Sequence, residues 1–174
     1  MLPRNAVGCE VGVWQGGFSQ SLLTKTKPSK LYLVDPWLWD LPTSIPKECY
    51  IANRRVAKNQ ADMDSIYEAV VARFKDHEEV IILRQPSVEA ANNFPDDMFD
   101  WVYIDGAHDY DNVLADLRSW SKKVKPGGFM CGDDYDWGKK YKLPVKRAVE
   151  DFLKESGFEK VRIQTGQFVL RRAK

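Results

Sequence analysis

The sequence predicts an α/β fold, with one mostly parallel seven-stranded sheet, helices on both faces and an antiparallel hairpin at the C-terminus. Three observations predict it. Short apolar runs alternate with amphipathic helical patterns, as in successive βα units. The apolar runs end on glycines or acids: residues 6–13 run into Gly12, Gly16, Gly17 and Ser19, 31–34 end at Asp35, 101–104 at Asp105, and 129–132 at Asp133 and Asp134. The tail then breaks the pattern with two strand-like segments joined by Thr165-Gly166. In an open α/β sheet, ligands bind outside the carboxyl ends of the strands, so the acids and glycines should converge on one crevice.

The elements follow in order. The first strand feeds a short helix over 18–25 that opens directly from the glycine turn, and a second strand follows at 30–34. Between 56 and 74, Met63, Ile66, Tyr67, Val70, Val71 and Phe74 recur at the i, i+3, i+4 spacing of an amphipathic helix. A third strand is expected at 80–83 and a fourth at 101–104. Val113, Leu114, Leu117 and Trp120 form the next helical stripe, with Asp109 or Asp111 as its N-cap and Pro126-Gly127-Gly128 beyond its end. After the fifth strand, Pro144 opens a helix with the stripe Val145, Ala148, Val149, Phe152 and Leu153, stopped at Gly157. Segments 160–164 and 167–171 complete the hairpin across their two-residue turn. There is no internal repeat, low-complexity segment or interdomain linker.

Composition narrows the class. A chain of 174 residues is most simply one domain, large enough to bury a core without staples. The formal net charge of +1, with acids and bases mixed along the length, gives no case for a nucleic-acid or membrane partner. Cys9, Cys49 and Cys131 are odd in number, which favours reduced thiols in a cytoplasmic protein over a disulfide framework. No apolar run approaches the ~18 residues of a membrane span, and no signal-peptide pattern is present.

The stretches EVGVWQGGFS, LVDPW, YIDGAHDY and PGGFMCGDDY, in this order, resemble the class I S-adenosylmethionine-dependent methyltransferases. Within them they look like the group that includes macrocin-type sugar O-methyltransferases and cephalosporin-hydroxylase-like proteins, and their layout is similar to that of catechol O-methyltransferases. The resemblance covers nearly the whole chain and implies a Rossmann-like domain over residues 1–174. In one departure, this chain begins almost at the first strand, whereas many relatives carry helices before it.

The residues themselves support a nucleoside crevice. Gly12 and Gly16 let the chain turn sharply and a ligand approach the backbone. Ser19 lies at the start of a helix whose free N–H groups favour a carboxylate, as the amino-acid end of S-adenosylmethionine would require. Glu10 is placed to order the turn or the ligand ammonium. Asp35, about 20 residues beyond the turn, is where a carboxylate accepts hydrogen bonds from ribose hydroxyls. Trp37 is a candidate cover for the adenine, with a packing role as the equal alternative. Ser87 is a candidate contact to the adenine edge, with a helix N-cap as its alternative.

Asp105, Asp133 and Asp134 bring three carboxylates to neighbouring strand ends. Such a set needs a cation between its members, and oxygen donors suit Mg²⁺ or Ca²⁺. The resemblance points the same way, because divalent-ion ligands of metal-dependent O-methyltransferases fall at these positions. The alternative is that Asp133 and Asp134 cap the next loop while Asp105 touches only the cofactor. His108 has a titration range suited to a general base. It stands where the catechol-type group has lysine, and Ala107 stands where the macrocin-type group often has an acid. The expected activity is metal-assisted O-methylation of a small polar acceptor such as a diol, a sugar or a catechol, with self-association left open. A non-catalytic S-adenosylmethionine-binding protein is the alternative. A nicotinamide-dependent oxidoreductase ranks lower, because Gly12-x-x-x-Gly16 departs from G-x-G-x-x-G.

Overall fold

The computed structural model describes residues 2–40, 43–44 and 57–174. Cys49 and most of the 37–50 segment, which the aromatic content suggests as one wall of an acceptor site, lie outside the described residues.

Strand β1 (Val7–Val11) leads into helix α1 (Gly17–Thr26), followed by β2 (Lys30–Asp35), α2 (Gln60–Phe74), β3 (Val80–Arg84) and a short α3 (Ser87–Ala91). Next come β4 (Phe99–Ile104), α4 (Tyr110–Ser121), β5 (Val124–Gly132), α5 (Pro144–Glu155), β6 (Phe158–Gln164) and β7 (Gln167–Arg172). The seven strands form one sheet in the order β3-β2-β1-β4-β5-β7-β6. The first five run parallel, while β7 pairs antiparallel with both β5 and β6. The order reverses direction at β1, which pairs with β2 on one side and β4 on the other. This is the switch point at which an α/β sheet opens a crevice.

Central strands are covered on both faces, so they read as continuous apolar runs. One face carries a core of Val11, Val34, Val102 and Ile104 against Val113, Leu117 and Trp120 of α4 and Val149 and Phe152 of α5. The other packs Leu31, Leu33, Trp101 and Tyr103 against Leu22 and Leu23 of α1 and Met63, Val70 and Phe74 of α2. Cys9 and Cys131 are buried free thiols, and burial raises the pKa of both. No helix among the described residues is long and apolar enough to cross a membrane.

Local chemistry sets the boundaries. The Asn59 side chain caps α2 by accepting from Asp62 N at 3.0 Å, and Asp109 caps α4 by accepting from Asn112 N at 3.3 Å. Of the two N-cap candidates for α4, the structure selects Asp109. Pro144 occupies the first turn of α5, where a missing N–H costs nothing. Thr165 and Gly166 both take positive φ, as a type I′ hairpin turn requires.

Three expectations change. Val71 lies on the outer face of α2 and is 40% exposed, because the stripe that meets the sheet is Met63, Val70 and Phe74. Pro126-Gly127-Gly128 is not a break before β5 but part of it, and the β4–β5 register shifts between Phe99 and Trp101 to admit it. Ser87 is the first residue of α3 rather than its N-cap, a position taken by Pro86.

Candidate active site

The carboxyl ends of β1, β2, β4 and β5 are held together by their ladders. Val11 pairs with Val34 and Ile104, and Ile104 pairs with Gly132. Beyond the ladders, Gly12 N donates to Val34 O at 2.9 Å and Asp105 N donates to Val11 O at 2.7 Å. The acid-and-glycine signals therefore do meet at one end of the sheet. Gly12 has a φ of 90°, and a Cβ there would overlap the Asp105 carbonyl and the Gly106 nitrogen.

Asp35 organises the mouth of that crevice. Its Oδ2 accepts from Val13 N and Trp14 N, both at 2.9 Å, and its Oδ1 accepts from Trp37 N at 2.7 Å. Burial raises the pKa of this carboxyl, while the three N–H donors and Arg84 act in the opposite direction. One side chain thus ties the turn after β1 to the loop after β2. The backbone turns into α1 through Gly16, its left-handed N-cap, and a side chain at Gly17 would meet only open space.

Beneath the turn, Glu10 is 1% exposed and Ser19 is fully buried. Burial pushes the Glu10 pKa up to about 8. The nearby Ser19 hydroxyl offsets this in part, and the Asp105 and Asp35 carboxylates add to it. Even so, Glu10 Oε2 and Ser19 Oγ complete no hydrogen bond. Among the described residues, no basic side chain contributes to this environment. The pair is a buried carboxyl and hydroxyl without completed hydrogen bonds.

At the ends of β4 and β5, one donor atom each from Asp105, His108 and Asp134 lies within 4.8 Å of the others. His108 Nε2 contacts Asp134 Oδ2 directly and stands 3.7 Å from Asp105 Oδ1. Burial works against a charge on His108, but the Asp134 hydrogen bond and the surrounding carboxylates raise its pKa overall. Burial likewise raises that of Asp105, with His108 opposing and Asp133 and Asp134 reinforcing. The converging trio differs from the expected Asp105, Asp133 and Asp134. Asp133 Oδ1 accepts from Asp134 N at 2.8 Å while its charge still acts on Asp105 and His108, and His108 supplies the third converging donor. The Trp137 ring packs 5.2 Å from His108 and stacks on Tyr141 at 6.0 Å, giving this wall an aromatic flank.

Two further candidates are placed differently from their expected roles. Trp37 is fully buried, donates from Nε1 to Trp14 O at 2.9 Å and packs 5.0 Å from Tyr67. This is the packing arrangement given above as the equal alternative to an adenine cover. The Ser87 hydroxyl accepts from Trp120 Nε1 at 2.9 Å, so it is tied first to α4.

Tyr103 escaped notice in the sequence although it shares the strand face of Asp105. Burial raises its hydroxyl pKa, with Asp133, Asp105, Cys131 and Glu10 adding to the effect, and it accepts from Gln167 Nε2 at 2.8 Å. The period of two along β4 was the signal that would have found it.

A family model described as a methyltransferase domain matches residues 9–135. No curated protein matches the sequence. Among solved structures, the O-methyltransferase NovP superposes with a TM-score of 0.65 at 20% identity, over 97% of this chain and 72% of that one. An S-adenosylmethionine-dependent methyltransferase from Mesorhizobium loti gives 0.66 at 12% identity, over 99% and 93%. The N-methyltransferase NodS from Bradyrhizobium japonicum WM9 gives 0.62 at 12% identity, over 98% and 88%.

Proposed function

The chain belongs to the methyltransferase-domain family, and from that membership we propose that it moves a methyl group from S-adenosylmethionine to an oxygen of a small polar acceptor, with a divalent ion assisting. The observation that carries the donor assignment is the buried Glu10–Ser19 pair, whose Oε2 and Oγ lack partners at the foot of the glycine turn. An ammonium group meets the need of that carboxylate, and the bare N-terminus of α1 at Gly17 suits the carboxylate of the same amino-acid moiety. Asp35 keeps a lone-pair site beyond its three N–H bonds for a ribose hydroxyl. The residues fit the cofactor.

S-adenosylmethionine supplies a methyl group on a sulfonium centre that needs no further activation. The chain's own task is to hold the acceptor oxygen in line and help it lose its proton, and alignment alone is worth up to ~7–11 kcal/mol. His108 is the side chain in this crevice whose titration range suits taking that proton, and Asp134 fixes its ring. Asp105 and Asp134 would hold a divalent ion, which would favour ionisation of a hydroxyl bound beside it and leave the proton to the His108 imidazole.

NovP and NodS share the fold to a similar degree, so the fold does not choose between oxygen and nitrogen acceptors. The carboxylate–imidazole cluster favours oxygen, since a diol, sugar or catechol presents adjacent oxygens to an ion. The test is calorimetric binding of S-adenosylhomocysteine, followed by a methyl-transfer screen of catechols, sugars and diols with and without chelator. Preferential binding of NAD(H) would overturn the cofactor assignment. Tight binding with no acceptor methylated would favour a non-catalytic S-adenosylmethionine-binding protein.

A further inference from the structure

The chain as a whole balances 26 basic residues against 25 acidic ones, yet residues 138–147 hold Lys139, Lys140, Lys142, Lys146 and Arg147 and no acid. Two of these are answered by neighbours. Lys146 lies over the Tyr135 ring and acts on Glu150, while Arg147 lies over the Tyr110 ring and acts on Asp151. Elsewhere lysines meet acids, as Lys123 meets Asp96, Lys125 meets Asp100 and Lys160 meets Glu150. Among the described residues, Lys139 and Lys142 enter no ion pair. Like charges this close in the chain repel one another, and an anion between them relieves the repulsion.

The run lies beside the candidate base. Trp137 packs 5.2 Å from His108, Tyr141 stacks on Trp137 at 6.0 Å with an interplanar angle of 26°, and Lys140 Nζ stands 4.9 Å from the centre of the Tyr141 ring. A file of ring contacts thus leads from His108 out to the lysines. The turn that carries them is tight, with Tyr141 N and Leu143 N both donating to Gly138 O at 2.7 and 3.2 Å. Lys142 and Leu143 take φ values of 62° and 53°, a left-handed pair that residues other than glycine adopt at a cost. Strain of this kind collects where a site needs a fixed backbone.

We propose that the methyl acceptor is a hydroxylated ring compound bearing an anionic group, a carboxylate or a phosphate. Its ring lies along Trp137 and Tyr141, its reacting hydroxyl meets His108, and Lys139, Lys140 and Lys142 hold the anion. The assignment rests on the methyltransferase reading of the site and narrows its acceptor. Asp105, Asp133 and Asp134 all act on His108, so an anion placed there would be repelled. The charged end of the acceptor must therefore point away from them, along the rings, which is where the lysines stand. A flat ring suits the stacked aromatic pair, and lysine ammonium groups hold a carboxylate or phosphate as point charges.

The experiment measures kcat/KM for methyl transfer from S-adenosylmethionine, with Mg²⁺ present, to two matched pairs of acceptors. Protocatechuate against its neutral amide tests a carboxylate, and glucose phosphate against glucose tests a phosphate. The wild type should favour the anionic member of at least one pair by tenfold or more, and about 0.5 M NaCl should cut that preference to within about threefold, because exposed lysines are screened. The double variant Lys139→Glu, Lys142→Glu should bring the two members within about threefold of each other at low salt, mainly by raising KM for the anionic one. Lys139→Arg, Lys142→Arg should keep the preference. Equal use of both members in both pairs overturns the proposal and leaves the methyltransferase reading intact. A preference that survives the glutamates or the salt overturns it too, and the salt series decides on the wild type alone if the variant does not fold. A chain that binds S-adenosylhomocysteine but methylates none of the four overturns the proposal and favours the non-catalytic reading. Failure to bind S-adenosylhomocysteine overturns the donor assignment and this proposal with it.

Discussion

Gly12 and Asp105 are in backbone contact: a methyl group on Gly12 would collide with the Asp105 carbonyl oxygen. The turn expected to bind the cofactor is thus seated on the strand end that carries the candidate ion ligand. Gly12→Ala combines this collision with the strain of a φ of 90°. We expect it to destabilise the fold by roughly 2–4 kcal/mol and to weaken S-adenosylhomocysteine binding in whatever folded fraction remains. Thermal melting and calorimetry check both effects. A variant with wild-type melting temperature would show that the two backbones can separate freely.

Glu10 makes stability depend on pH in a direction opposite to that of a salt-bridged acid. Its folded pKa of about 8 lies above the ordinary value of 4.5. Below the ordinary value both states are protonated and burial carries no penalty. As pH rises toward 8, the unfolded chain loses its proton while the folded chain keeps it, so stability falls by up to ~1.4 kcal/mol per pH unit and then levels off. The ligand-free Glu10→Gln variant should lose this part of the slope, measured as the difference in melting temperature from wild type between pH 5 and 9. It should also bind S-adenosylhomocysteine at least tenfold more weakly, because an amide does not hold an ammonium as a carboxylate does.

Asp35 serves the turn as well as the ligand. Its three N–H bonds join residues 13, 14 and 37. Asp35→Ala leaves those donors without their acceptor and should cost roughly 1–3 kcal/mol in stability, alongside a tenfold or greater loss of S-adenosylhomocysteine affinity. If stability falls but affinity does not, the ribose is held elsewhere.

The ion site separates Asp134 from Asp133. Millimolar Mg²⁺ or Ca²⁺ should raise the melting temperature of the wild type. Asp134→Ala should abolish the rise, whereas Asp133→Ala should retain most of it, since Asp133 caps the Asp134 backbone instead of joining the trio. Methyl transfer unaffected by chelator would remove the ion from the mechanism.

The sequence by itself determined the α/β class, the mostly parallel sheet, the hairpin and the placing of Glu10, Gly12, Asp35 and Asp105 toward one end of that sheet. These were legible because each rests on local chemistry: apolar runs that end on an acid, a helix opened by Pro144, and a two-residue turn through Thr165-Gly166. Tertiary structure decided what each side chain faces. Trp37 follows a strand end as an adenine cover would, yet it is fully buried against Tyr67. Asp133 and Asp134 are consecutive, and only the path of the backbone after β5 sends one to cap the other while the second meets His108. Strand and helix periodicity fixes the face on which a residue emerges, but the partner waiting there comes from distant segments, and only packing brings those together.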